Sequence, residues 1–318
     1  MRMIFPLSGQ AEFGQRRGFM NESLLLRQQL RESIDADVAK RTEIHQRRIA
    51  AIRAARAKPT TESIGAPKPL VMLAHGDSWF DYPLNGNGLP LGETDVIAQL
   101  GSMGNINPII QNISHYGDAS SEEMSWPKQQ RMIDSLRDPA NWLESGKPDA
   151  ILFSGGGNDI AGNQFCIFLD YASGNGKGLN ATRFAEALGM VKASYQDLFL
   201  FRDRNATGVP IFGHCYDFPI PNGNHPVCAG PWLQPSLTFA GWGTVQGTEI
   251  LREALVGFRS MLEDLASMPE SNFVLVDTQN TLVPEDWANE LHPYPEGFKK
   301  IAQKFLEALR QHFGPNSV

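Results

Sequence analysis

Cysteine is scarce in this chain: Cys166, Cys215 and Cys228 are the three found in 318 residues. An odd and small number implies no disulfide framework. Cys215 and Cys228 flank a loop and could pair in an exported protein, but reduced thiols in a cytoplasmic one are the simpler reading. Only His214 and His225 stand beside them, which is not a zinc-ligand spacing, so no metal site is expected. Long apolar runs are also missing. No stretch of about 18 uncharged apolar residues occurs, so no transmembrane helix is expected. The start Met1–Phe5 is far too short for a signal-peptide core; export by another route stays open. Basic charge is short as well. A net charge of −7 and a pI near 5.5 argue against a nucleic-acid partner, which would favour a basic face.

What is present begins with a hydrophobic content of 42%, ample for a buried core. A length of 318 residues alone suggests about two domains, but the informative motifs spread over most of the chain and argue for one domain with additions. Between Asn21 and Lys58 there are nine Lys/Arg and five acids, a net of +4 on an acidic protein. Leu26, Leu30, Ile34 and Val38 recur every four residues there, as on one helix face. Such a helix either packs along the domain with a solvated charged face, or docks a partner, an oligomer or a membrane surface. Three prolines between Pro59 and Pro69 then suggest a linker. Residues 1–67 thus read as a charged helical extension with its linker, and 68–318 as the main domain.

From Leu70 onward short apolar runs alternate with longer helical patterns, as in a parallel sheet covered by helices on both faces. Candidate strands are Leu70–Leu73, Pro108–Ile113, Ala150–Phe153, Val209–Gly213 and Phe273–Val276. Candidate helices are Ser121–Leu136, Arg183–Arg202, Gln246–Ala266 and Glu296–Phe313. Five strands suit a flavodoxin-like three-layer α/β/α sandwich. Two segments exceed ordinary connections, 161–180 and 214–242, with Phe165, Phe168, Tyr171, Tyr216, Phe218, Trp232, Phe239 and Trp242. Long loops at this edge of a sheet are usually functional; these read as an apolar wall or lid, or as loop packing alone.

Four segments carry chemistry. Leu70–Leu73 runs into Ala74-His75-Gly76-Asp77-Ser78-Trp79-Phe80, which would hold a hydroxyl at the carboxyl end of a strand, where ligands collect in open α/β sheets. Pro108–Ile113 leads into Ser114-His115-Tyr116-Gly117-Asp118, a polar turn whose glycine N–H can face a site unobstructed. Ala150–Ser154 ends in Gly155-Gly156-Gly157-Asn158-Asp159. A side-chain amide there can donate to a developing negative oxygen. The triple glycine fits neither phosphate-binding pattern, Gly-x-x-x-x-Gly-Lys-Ser/Thr or Gly-x-Gly-x-x-Gly. Last, Trp287-Ala288-Asn289-Glu290-Leu291-His292-Pro293 places a histidine in an extended or turn conformation before a helix, able to hang over the sheet edge.

Each segment alone is weak. In this order, on successive connections, they resemble the SGNH hydrolases, the GDSL esterases and lipases, over about residues 68–313. The resemblance implies a serine hydrolase of carboxylic esters, lipase-like, needing no cofactor and taking a small-molecule or lipid ester. It implies Ser78 as nucleophile and His292 as general base, with the Ser78 and Gly117 N–H groups and the Asn158 amide holding the oxyanion. Acyl transfer or thioester hydrolysis would use the same residues, and a catalytically weak domain that binds a partner through its N-terminal helix is the non-enzymatic alternative.

Two departures stand out. Trp79 follows the serine where the family commonly has leucine. Asn289 stands three residues before the histidine, where the family usually has aspartate; in serine proteases that exchange costs about 10⁴ in rate. Asn289, or a backbone carbonyl beside it, is expected to hold the His292 ring, with Asp286 as second choice and Asp277 also near in sequence. Glu290 is expected to project elsewhere. With a neutral partner, the His292 pKa is expected to stay near its unperturbed value of about 6.5.

Overall fold

All five apolar runs form strands: β1 (Val71–Gly76), β2 (Ile109–Asn112), β3 (Ala150–Ser154), β4 (Ile211–His214) and β5 (Phe273–Val276). The computed structural model describes residues 10–57, 68–88, 93–143, 145–174, 176–225, 228 and 230–318, with side chains of the first helix described mainly from Arg31 onward. Every residue of β1, β3 and β4 is buried. Strands covered on both faces need no polar alternation, which is why they read as continuous apolar runs. They pair in parallel in the order β2-β1-β3-β4-β5.

The order reverses direction at β1. Connections leaving β1 and β3 part to opposite faces, and a crevice opens at their carboxyl ends. On one face α2 (Val96–Leu100) packs on α9 (Pro295–Phe313); on the other α4 (Trp126–Arg137), α6 (Ala181–Asn205) and α8 (Thr244–Ala266) touch in turn. Short helices α3 (Ser120–Glu123), α5 (Gly157–Ile160) and α7 (Gln234–Phe239) fill the connections. The periodicity of α9 shows why it docks: Phe298, Ile301, Ala302, Phe305 and Leu309 fall on its one buried face. Burial of each large side chain contributes about 1.5–3 kcal/mol.

The helix expected over Ser121–Leu136 is two helices. Ser125 is extended, and Pro127 sits in the first turn of α4. Proline has no N–H for the carbonyl four residues back and disfavours helix in the residue before it, so the chain restarts there.

The N-terminal helix α1 (Gln10–Arg56) runs along the edge strand β2. Val38 and Ile49 are buried, and Ile34 and Ile52 pack partly against the same core. Arg41 donates to the Ser114 carbonyl at 3.0 Å, and His45 Nε2 lies 2.7 Å from the Asn141 carbonyl. From Ile34 on, the helix therefore covers a sheet edge of its own domain. The side chains of Leu26 and Leu30, and the linker at 58–67, lie outside the described residues. No helix among the described residues is long and apolar enough to cross a membrane.

Candidate active site

The serine turn is built by close approach and by a buried acid. A Cβ on Gly76 would stand 2.5 Å from the Ser154 carbonyl oxygen and 2.8 Å from its Cβ, so only glycine lets β1 leave the sheet so near β3. Asp77 follows, with its N–H on the Ser154 carbonyl at 3.0 Å. Its carboxyl accepts from Trp79 N at 3.0 Å, Ser154 Oγ at 2.7 Å and Tyr216 Oη at 2.5 Å. Burial pushes this carboxyl up to about 6, although the three hydrogen bonds pull the other way. Phe80 and Asp81 N–H then close on the Asp77 carbonyl. Ser78 is held at the start of this turn, its side chain largely buried.

His292 reaches Ser78 from the far end of the chain: Ser78 Oγ and His292 Nε2 are 2.7 Å apart. Asn289 Oδ1 lies 3.2 Å from His292 Nδ1 and also accepts the backbone N–H groups of Leu291 and His292, each at 2.9 Å. Two N–H donors on one atom identify that atom as the oxygen. An amide oxygen only accepts, so Nδ1 carries the hydrogen and Nε2 presents a lone pair to Ser78. The Asn289 Nδ2 faces Tyr82 Oη at 3.3 Å and Cys228 Sγ at 3.1 Å. The Tyr82 ring lies 4.5 Å from the imidazole, and Trp232 stands edge-on to it at 5.7 Å.

The expectation of a His292 pKa near 6.5 is corrected. Burial lowers it to about 3, because a neutral amide offsets none of the desolvation cost of an imidazolium. Asp286, the second choice for holding the ring, is turned away: both its oxygens meet Lys300 Nζ, at 2.8 and 2.7 Å, and one also accepts Val283 N at 2.9 Å. Asp277 pairs with Arg259 at 3.1 Å. Glu290 does project elsewhere, and fully buried: its two oxygens accept the N–H groups of Gly223, Trp232, Leu233 and Gln234 at 2.7–3.0 Å. It pins the 214–242 loop to the histidine turn.

On the opposite side, Asn158 Nδ2 donates to the Asp118 carbonyl at 2.9 Å, tying the third segment to the second. One amide hydrogen remains for the cavity, which Asn158 lines together with Ser78 and His292. Gly117 has φ +83° and open space where a Cβ would be, a backbone region that L side chains rarely adopt. Its turn is held by Asn112, whose amide donates to the Phe80 carbonyl at 2.7 Å and accepts Ser114 N at 3.0 Å. Gly156, at φ +110°, leaves no room for a Cβ, which would stand 2.5 Å from the Phe258 ring.

The cavity beside Ser78 is mostly apolar, with Ile160, Phe165, Leu233, Leu251, Leu255 and Leu291 in its walls. Of the loop aromatics singled out in the sequence, Phe165 and Tyr216 line it. The others mainly pack: Phe168 is in the core, Phe218 lies under Arg252, Trp242 Nε1 caps the Asp170 carbonyl at 2.7 Å, and Tyr171 and Phe239 face solvent together. The three cysteines are free. Among the described residues no group of three or more His, Cys, Asp or Glu is arranged to hold a metal ion. Sequence reasoning missed Tyr82, Cys228 and the wall supplied by α8, since none carries a local signal.

No family model matches the chain, and no curated protein does. Among solved structures it is similar to a lipase from a goat rumen metagenome, at a TM-score of 0.50 and 17% identity over 75% of this chain and 97% of that one. An extracellular lipase from Streptomyces rimosus is similar more loosely, at a TM-score of 0.44 and 16% identity over 76% of this chain and 98% of that one. A member of the lipolytic G-D-S-L family from Veillonella parvula follows at 0.40 and 16%, over 74% and 96%. Likeness at such identity speaks for the fold. The chain has the three-layer α/β/α sandwich expected from its sequence, a fold it shares with the rumen lipase.

Proposed function

We propose that the protein is a serine hydrolase of carboxylic esters, with Ser78 as nucleophile and His292 as general base. The observation that carries this reading is the 2.7 Å contact between Ser78 Oγ and His292 Nε2, with Asn289 Oδ1 on the other ring nitrogen at 3.2 Å. That is a nucleophile, its base and an orienting group in one line.

Ser78 Oγ attacks the ester carbonyl while its proton passes to His292 Nε2. The negative charge that forms on the carbonyl oxygen is met by the N–H groups of Ser78 and Gly117 and by the second Asn158 hydrogen. The imidazolium gives its proton to the departing alcohol, and a water repeats the sequence to release the acid. Asn289 fixes the tautomer but lends no charge to the imidazolium, and burial holds His292 at about 3. The base is thus always ready and intrinsically weak.

A fluorophosphonate probe should label the wild type and not Ser78→Ala, and p-nitrophenyl ester turnover should vanish in the same variant. Equal labelling and turnover in both would overturn the assignment. Product analysis with a competing alcohol separates hydrolysis from acyl transfer: more ester than acid at modest alcohol concentration would reassign the second step.

A further inference from the structure

The cavity that opens from Ser78 is closed on one side by α8, which presents Leu251, Ala254 and Leu255 to it. Ser78 stands at the end of β1, whereas α8 packs on the edge strand β5, three places along the strand order. The helix is therefore the far wall. Two carboxyl groups also border this space, but neither is free. Asp77 is taken by Trp79, Ser154 and Tyr216, and Asp217 accepts four backbone N–H groups, from Phe218, Asn280, Thr281 and Leu282. A hydroxyl-bearing group entering here would give up water and find little in exchange. A hydrocarbon chain would lose nothing.

The cavity volume is about 50 Å³. A single water needs roughly 10–15 Å³ on the same measure, so there is room for about four water-sized groups, which a methylene approximates. After acylation the alcohol leaves and the acyl group stays on Ser78. An apolar hollow beside the nucleophile, walled by α8 on its far side and open elsewhere, suits the part that stays.

We infer that this cavity is an acyl pocket closed by Leu251, Ala254 and Leu255, and that the protein takes esters of short, unbranched fatty acids of about four to six carbons rather than acetyl groups or long chains. The inference rests on the serine-hydrolase reading and names its substrate class. Each methylene that enters the pocket should raise kcat/KM about fourfold, until the chain meets α8.

The test is a p-nitrophenyl series from acetate to decanoate on the wild type, Leu251→Ala, Leu255→Ala and Ala254→Leu. In the wild type kcat/KM should climb from acetate to a maximum at butyrate or hexanoate and then stop rising. The two alanine variants should move that maximum two or more carbons longer, and Ala254→Leu should lower the hexanoate-to-acetate ratio at least tenfold. A wild-type rate that climbs through decanoate, or a maximum unmoved in folded variants, overturns the inference. Binding of 1-alkanols to Ser78→Ala, followed by calorimetry, reads the pocket without turnover. Affinity should rise to butanol or hexanol, and further along the series in Ser78→Ala/Leu251→Ala. Loss of the serine-dependence of turnover with this alkanol pattern intact would sink the hydrolase reading alone. Serine-dependent turnover with a flat alkanol series would sink the pocket alone.

Discussion

Glu290 and Glu123 are the same side chain, both wholly buried, and the protein treats them in opposite ways. Glu290 lies in the turn that carries His292 and accepts four backbone N–H groups. Glu123, at the end of α3 behind the serine turn, has no hydrogen-bond partner on either oxygen. Desolvation, with Asp77 and Asp159 nearby, holds the Glu123 carboxyl well above the ordinary carboxylate range. A buried acid is tolerated either by surrounding it with donors or by keeping its proton. The first solution organises a loop; the second organises nothing nearby and carries a cost that depends on pH. Asn289 shows a third way, an amide where an acid is usual, with no charge to bury.

The largest break in this comparison is Glu290→Gln. One oxygen becomes an NH₂ facing backbone donors, leaving two of them unsatisfied at about 1–3 kcal/mol each. Urea unfolding should show a loss of about 2–6 kcal/mol, and kcat/KM should fall by about two decades as the His292 turn loosens. A variant within 0.5 kcal/mol of wild type would deny the carboxyl its anchoring role.

The pH dependence sharpens the contrast from the other side. Glu123 keeps its proton in the fold, whereas the unfolded chain releases it near 4.5. Its contribution is therefore intact below that pH and is lost as the pH rises toward its folded value. Glu123→Gln should match wild type near pH 4 and become more stable than wild type at pH 7–8, read as a rise in Tm. A variant less stable than wild type at pH 8 would mean that the acid has a partner in solution.

For Asn289, the outer amide faces Tyr82 Oη and Cys228 Sγ, both able to turn donor toward a carboxylate. Asn289→Asp should leave kcat/KM unchanged or raise it up to about tenfold, and should move its acid limb upward from the wild-type position. With His292 held at about 3 in the wild type, activity should stay flat down to about pH 5; a wild-type limb near 6.5 would show that burial is relieved in solution.

The smallest effect belongs to Asp286→Ala. Its partner Lys300 is 44% exposed, and such pairs contribute about 0.2–1 kcal/mol, so kcat/KM should change less than about threefold. A loss of two decades in folded protein would make Asp286 the group that orients His292.

Much of the architecture was legible because its causes are local. Buried parallel strands must be apolar throughout, so β1 to β5 stood out as runs, and the glycines at 76 and 155–157 marked the turns that leave β1 and β3. The break before α4 was legible in principle from Pro127. What could not be read is what depends on distant chain segments meeting. Tyr82 and Asn289 are 207 residues apart, and Tyr82 and Cys228 are 146 apart.

The sequence by itself determined the strand set, the parallel class and the order in which serine, glycine, asparagine and histidine arrive at one sheet edge. Periodicity and turn chemistry act over a few residues, and that is enough to specify elements and their succession. Only the tertiary structure decided that Asn289 rather than Asp286 holds the ring, that Glu290 is a loop anchor, that burial takes His292 down to about 3, and that α8 ends the cavity. Hydrogen-bond partners, desolvation and enclosed volume are set by which surfaces finally touch, and no short window of residues contains that information.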